Sequence, residues 1–196
     1  TLVLLINKAK FLKRVYLFTL LVSLLYSVYL FINPTLANYS YVFGEYTLLL
    51  NSNLLSRIVI IFINIFTLLI CIYSLSSESL KKNRLFFAYL AYLAAFSNLV
   101  CMAGDFITFI FAWGANLALL YAMLSIGSSK DADKALSIVG FADFSFILGA
   151  SFYIYLSGSS LMPSHSGIAL QGFLPWLTFV LMLSAALAKT GCDPFH

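Results

Sequence analysis

The stretch IVIIFINIFTLLICIYSLSS, residues 58–77, decides the fold, because it holds 20 consecutive uncharged positions between Arg57 and Glu78. A helix of that length rises about 30 Å, which matches the hydrocarbon core of a bilayer. Lipid offers no partner to backbone polar groups, so only helices and closed barrels span it. Barrel strands alternate over about ten residues, whereas this stretch is predominantly apolar from end to end. It therefore predicts a transmembrane helix.

The composition of the whole chain also indicates that lipid surrounds the protein. Of its 196 residues, 62% are hydrophobic and 9% are charged, with a mean hydropathy of +1.00. A soluble domain carries roughly 25% charged residues. A core cannot absorb so much apolar surface at this length, so the surroundings of the protein must be apolar too.

Uncharged gaps like the first one place three further spans, and two more apolar runs, which carry Asp143 and Lys189, complete the set. We expect an all-α integral membrane protein, a bundle of about six to seven transmembrane helices in a single domain covering residues 1–196. The predicted spans are residues 15–32, 54–75, 85–103, 106–126, 134–156 and 172–190, and a seventh, partial span would precede Asn7. Both ends of the sequence interrupt apolar runs, and we expect a fragment truncated after the last span.

The positions of Lys and Arg give the bundle a direction. Nine of the eleven lie in three segments, around residues 8–14, 81–84 and 130–134, which alternate with segments that contain neither residue. This alternation is the positive-inside pattern, so the basic loops should face the cytoplasm of a prokaryotic inner membrane. The net charge of +4 is thus a topology signal, and we expect no nucleic-acid partner.

Two ionisable residues, Asp143 and Lys189, fall inside predicted spans. Asp143 follows Lys134 by nine residues, about 13 Å of helix, and an intramembrane carboxylate by default faces a partner inside the bundle. Lys189 is a candidate partner. The alternative for Lys189 is that its ammonium snorkels to the cytoplasmic interface.

Other polar residues have simpler explanations that compete with a role in transport. Asp105 should cap the helix that follows it, and Trp113 is interpreted as a packing residue. Asn116 would bond across helices or line a water path. Ser137 and Ser145 lie near Asp143 in the sequence and are candidates for holding water.

Catalysis and cofactors find little support in the sequence. Cys192 and His196 are four residues apart, but a thiol and an imidazole without an orienting third group are weak evidence for an enzyme. The three cysteines lack metal-ligand spacing. We expect no metal site and no redox cofactor, because no ligand set for haem or an iron–sulfur cluster is present.

Two motifs resemble a known family. KALSIVGFADFSFILGASFYIY, residues 134–155, resembles the sixth-helix motif of the antiporter-like subunits of respiratory complex I. ALAKTGCDPFH, residues 186–196, resembles their seventh-helix motif, a Lys followed by a small residue, Gly or Ser and then Pro-Phe-His or Pro-Leu-His. Mrp sodium/proton antiporters and the membrane subunits of energy-converting hydrogenases belong to the same family. The resemblance spans residues 47–196.

The resemblance implies the first half of a larger fold of about fourteen spans, in a non-redox subunit of a multi-subunit membrane complex. It implies that Lys189 carries a proton, or serves sodium transport, and that Asp143 is a functional carboxylate. We expect the ion path to include Asn116, Ser137, Ser145 and His196 as well. The family also has a Glu after the fifth-helix Trp, which pairs with the Lys. Here Gly114 follows Trp113. Either Asp143 takes over as the partner, or the chain is a structural subunit that has lost transport.

Overall fold

The computed structural model describes residues 9–33, 38–43, 46–77, 84–162 and 169–189. Within these ranges the chain forms six helices and one two-stranded sheet. The elements are α1 (Ala9–Ile32), β1 (Tyr39–Phe43), β2 (Tyr46–Leu50), α2 (Leu54–Ser76), α3 (Arg84–Met102), α4 (Phe106–Ser125), α5 (Ser129–Ser157) and α6 (Phe173–Lys189). The predicted seventh span before Asn7 lies outside the described residues.

The helices confirm the prediction of an all-α membrane bundle. Five of the described helices, α1 to α5, are long and apolar enough to cross a bilayer, and α6 contributes a shorter apolar helix over Phe173–Ala188. The protein is thus an integral membrane protein by the length and composition of its helices. One boundary differs clearly from its prediction. Helix α5 begins at Ser129, because the Ala132 N–H donates to the Ser128 carbonyl and the polar residues 130–134 form its first turns.

Helix α2 shows why lipid suits this chain. Its buried face carries Asn64, Cys71 and Ser74, while Phe66 and Tyr73 on the opposite side are 60% and 73% exposed. A water-soluble helix buries its apolar stripe and exposes its polar one. The reversed arrangement places aromatic and aliphatic side chains against lipid and small or polar ones against neighbouring helices.

Helices α1, α2 and α3 form one compact unit. Near its centre the Ser23 hydroxyl donates to Asn64 Oδ1 at 2.8 Å, and Asn98 Nδ2 donates to the same oxygen at 3.3 Å. Asn64 Nδ2 donates to the Ile60 carbonyl at 2.8 Å. These three side chains, one from each helix, form a polar cluster in which Asn64 is almost fully buried.

The second compact unit contains residues 40–50 and the segment with α4, α5 and α6. Here β2 pairs with the chain before α4, through an antiparallel bridge between Leu50 and Ala103 and a Gly104 N–H that donates to the Leu49 carbonyl at 2.7 Å. A Cβ at position 104 would lie 2.8 Å from Leu49 Cγ, so this close pairing requires glycine. The strands were not predicted from the sequence.

Helices α5 and α6 pack closely in the same unit. An added Cβ at Gly149 would lie 2.9 Å from Met182 Cγ and 3.3 Å from Leu181 Cβ. Ala150 and Ala185 are buried completely or almost so. Small side chains thus let the two helices approach each other, as is typical of membrane helix pairs.

Candidate functional site

The candidate site is centred on Asp143, in the middle of α5. Its side chain is 6% exposed, and its Oδ1 accepts a hydrogen bond from the indole Nε1–H of Trp113 on α4. A buried charge is costly unless hydrogen bonds or ion pairs support it. The structure therefore brings together a mid-span carboxylate and a donor from the neighbouring helix. Sequence reasoning had interpreted Trp113 only as a packing residue.

Aromatic rings fix the position of the indole. The Trp113 ring stacks on Phe109 at 4.9 Å between centroids and on Phe146 at 5.6 Å. Phe109 and Phe146 lie 5.0 Å apart, and Phe106 continues the series to Tyr153, also at 5.0 Å. We call these five residues the aromatic wall. It joins α4 to α5 and extends from Asp143 toward the N-terminal end of α4.

The other predicted site residues on α4 and α5 have different positions. Asn116 is half-buried, three residues after Trp113, and residues at this spacing share one helix face. Ser145 is buried and donates to the Phe141 carbonyl at 3.0 Å, while exposed Ser137 donates to the Asp133 carbonyl at 2.9 Å. Both hydroxyls thus bond to their own helix. Their roles in holding water stay predictions.

Lys189 is the last described residue of α6, and the structure describes its backbone but not its side chain. The α5–α6 register nevertheless fixes the level of its backbone. Gly149 contacts Met182, and a cavity beyond this contact is lined by Tyr153 and Leu156 from α5 and by Thr178 and Pro175 from α6. Later residues of α5 thus lie against earlier residues of α6, so the two helices are antiparallel.

This register places Asp143 and Lys189 at a similar level along the helix pair. Asp143 precedes Gly149 by six residues and Lys189 follows Met182 by seven, which is about 9 Å and about 10 Å from the same crossing. Ala142 and Ala188, next to the two ionisable residues, are both buried. Contact between the two side chains stays a prediction. His196, the remaining predicted site residue, lies outside the described residues.

Gly114, where the resemblance expects a glutamate, is exposed on α4. A Cβ added there would meet nothing within 4 Å. Trp113, immediately before it, instead reaches the carboxylate on α5. Within the described ranges, no group of three or more His, Cys, Asp or Glu side chains could hold a metal ion.

Asp105 is a second buried carboxylate, at the N-terminus of α4, and its predicted capping role is confirmed. It is fully buried and accepts from the Thr108 N–H at 2.7 Å and the Thr108 hydroxyl at 2.8 Å. It also accepts from the Leu49 N–H of β2 at 2.9 Å. All three donors are neutral, so the residue joins α4 to the hairpin through hydrogen bonds.

Comparison with known proteins supports the architecture. A chain in the structure of respiratory complex I from Thermus thermophilus with bound aureothin superposes with a TM-score of 0.74 and 19% sequence identity, over 96% of this chain. The present chain spans 40% of the length of that one. No protein-family model and no curated protein matches the sequence. At this level of identity the likeness establishes the fold.

Proposed function

We propose that this chain translocates protons, or sodium ions, as an antiporter-like membrane subunit of a complex related to NADH:quinone oxidoreductase, to energy-converting hydrogenases or to Mrp antiporters. The observation that carries the proposal is the mid-span carboxylate of Asp143, almost fully buried and held by an N–H from the next helix. Ionisable residues at such depth are rare and mark ion paths by default.

The α5–α6 register supports Lys189 as the partner of Asp143. Because Lys189 lies at the level of Asp143 on the adjoining helix, a protonated amine and a carboxylate can stabilise each other in a medium of low dielectric constant. Lys189 accepts a proton while the Asp143 charge stabilises the ammonium. It releases the proton when that stabilisation is withdrawn. The carboxylate thereby tunes the proton occupancy of the lysine, the role that the resemblance gives to a glutamate at the position of Gly114.

The sequence motifs and the fold together indicate the setting. The Lys189 motif resembles the antiporter-like subunits, and a chain from respiratory complex I has the same fold. The partners would be other membrane subunits of a multi-subunit complex and the surrounding lipid. The chain itself would carry no redox cofactor, so electron transfer would take place in those other subunits.

A structural subunit without transport is the second candidate, and Gly114 favours it. The position that should carry a carboxylate has no side chain. In this case Asp143 and Trp113 would form a dry hydrogen bond that joins α4 to α5. The complex would assemble, but no ion would move through this chain.

The experiment that separates the two candidates compares Asp143→Asn with Asp133→Asn in the purified full-length complex. Proton uptake into phospholipid vesicles is followed with an internal pH-sensitive dye, and sodium uptake with radioactive sodium. Asp133 is a matched control, because it lies ten residues earlier on α5 and is exposed. Removing one partner of a buried charge pair costs ~3–5 kcal/mol, so D143N should slow uptake by about a hundredfold or more.

The control D133N should transport at the wild-type rate. If D143N transports as fast as wild type in an assembled complex, translocation through Asp143 is wrong. If the wild-type complex pumps and D143N leaves pumping intact while lowering only its thermal stability, the structural candidate is correct.

A further inference from the structure

We infer that Trp113 is a positioning residue for ion transfer: its indole N–H holds the Asp143 carboxylate in place without neutralising its charge. This inference rests on the proposed function, because it assigns a means of control to the same site. It concerns a residue whose apolar neighbours alone suggest packing.

The chemistry of the donor sets what Trp113 can do. An indole has one N–H, which donates and cannot accept. Its bond to Asp143 Oδ1 orients the carboxylate but supplies no net positive charge. A Lys or Arg in the same position would form an ion pair and would remove the attraction on which a second cation depends. A neutral donor leaves the negative charge of Asp143 available to a protonated amine on α6.

The aromatic wall makes the donor rigid. The indole contacts two rings that also contact each other, nearly parallel to Phe146 at 21° and tilted by 30° to Phe109. Rotating the indole away from Asp143 would therefore break two ring contacts as well as the hydrogen bond, and each ring pair contributes ~0.5–1.5 kcal/mol beyond its buried area. Both neighbouring rings are carried by the same two helices that carry Trp113 and Asp143. The carboxylate is thus held by a support that spans the α4–α5 interface.

The wall and the hydrogen bond predict different effects for different substitutions. Trp113→Phe keeps a stacked ring and removes the N–H. Replacement of Trp113 by the isostere benzothienylalanine, in which sulfur takes the place of the N–H, changes shape even less. Phe109→Leu removes a stacking partner and keeps the N–H. Trp176→Phe removes an indole that is 52% exposed on α6, and it serves as the control for loss of a tryptophan.

Two measurements on the purified full-length complex test the inference. The first is the infrared carboxylate band of isotope-labelled aspartate, in which the Asp143 contribution is identified by its loss in D143N. The second is the rate of proton or sodium uptake by vesicles. Loss of a hydrogen bond to a charged group should slow uptake by about tenfold or more in W113F and in the isostere variant. Both should shift the Asp143 band, whereas W176F should change neither quantity.

A packing role for Trp113 predicts the opposite order. The isostere would then behave as wild type, and F109L would slow uptake more than W113F. If D143N abolishes uptake while the isostere variant leaves both the band and the rate unchanged, the positioning role is wrong and the proposed function stands. If D143N itself transports normally, the proposed function fails first, and the infrared band alone then reports whether the hydrogen bond exists.

Discussion

Replacement of Asp105 by Ala should destabilise the unit that contains β2 and α4, because the Asp105 carboxylate accepts three hydrogen bonds there. The carboxylate caps α4 through the Thr108 N–H and binds the Leu49 N–H of the hairpin. Loss of an N-cap costs ~0.5–2 kcal/mol, and a donor left without its acceptor in a buried site costs ~1–3 kcal/mol. We therefore expect D105A to lower the free energy of unfolding by about 1.5–5 kcal/mol.

Asp105→Asn and Thr108→Val separate the contributions. Asparagine caps helices as well as aspartate does, but its amide nitrogen cannot accept from Leu49, so D105N should lose only ~1–2 kcal/mol. T108V removes one hydroxyl donor and should lose ~0.5–1.5 kcal/mol. Reversible unfolding in mixed micelles, followed by far-ultraviolet circular dichroism, gives these values. Hydrogen exchange at the Leu49 amide gives a local measure, and it should accelerate in D105N and D105A but not in T108V.

The reasoning about Asp105 would be refuted by either of two results. One is a D105A protein that unfolds within ~0.5 kcal/mol of wild type, the range of ordinary surface substitutions. The other is a Leu49 amide that exchanges equally fast in D105A and wild type. Equal stability losses in D105N and D105A would show that the negative charge, and not the number of acceptor atoms, is what α4 requires.

Two further predictions concern helix packing. Gly149→Val should destabilise the α5–α6 pair by ~1–3 kcal/mol, because its Cβ would clash with Met182. The control Gly140→Ala, whose added Cβ would have nothing within 4 Å, should be neutral or stabilising by up to ~1 kcal/mol. Equal melting temperatures for the two variants would contradict the close packing of α5 on α6. In the polar cluster, a double-mutant cycle of Asn64→Leu and Asn98→Leu should give a coupling energy of about 0.6 kcal/mol, up to ~1.7; additive losses of stability would mean that the two amides do not interact.

The helices could be predicted from the sequence because charged residues avoid hydrocarbon. Arg57 and Glu78 bound the apolar part of α2, and Asp105 separates α3 from α4 as the N-cap of α4. Lys130 and Lys134 were less informative. They suggested a loop, yet a helix can carry lysines in its first turns when these project to the membrane surface. That is why α5 starts five residues before its predicted position.

The hairpin and the Trp113–Asp143 bond could not be predicted by the same reasoning. Strands β1 and β2 lie on either side of Glu45, in a segment between two predicted spans, and β2 bridges to Ala103, more than fifty residues away. Trp113 and Asp143 are thirty residues apart. One signal was present, since a buried indole N–H needs an acceptor and a mid-span carboxylate needs a donor. Joining the two required the α4–α5 packing that only the structure gives.

The most direct test of ion translocation is proton uptake by vesicles that contain the complex with Lys189→Ala, compared with Lys134→Ala. Lys134 lies on exposed α5 surface near the start of the helix, so K134A controls for the loss of a lysine. The account predicts that K189A reduces uptake to the rate of empty vesicles while K134A retains the wild-type rate. Wild-type uptake by an assembled K189A complex would contradict it.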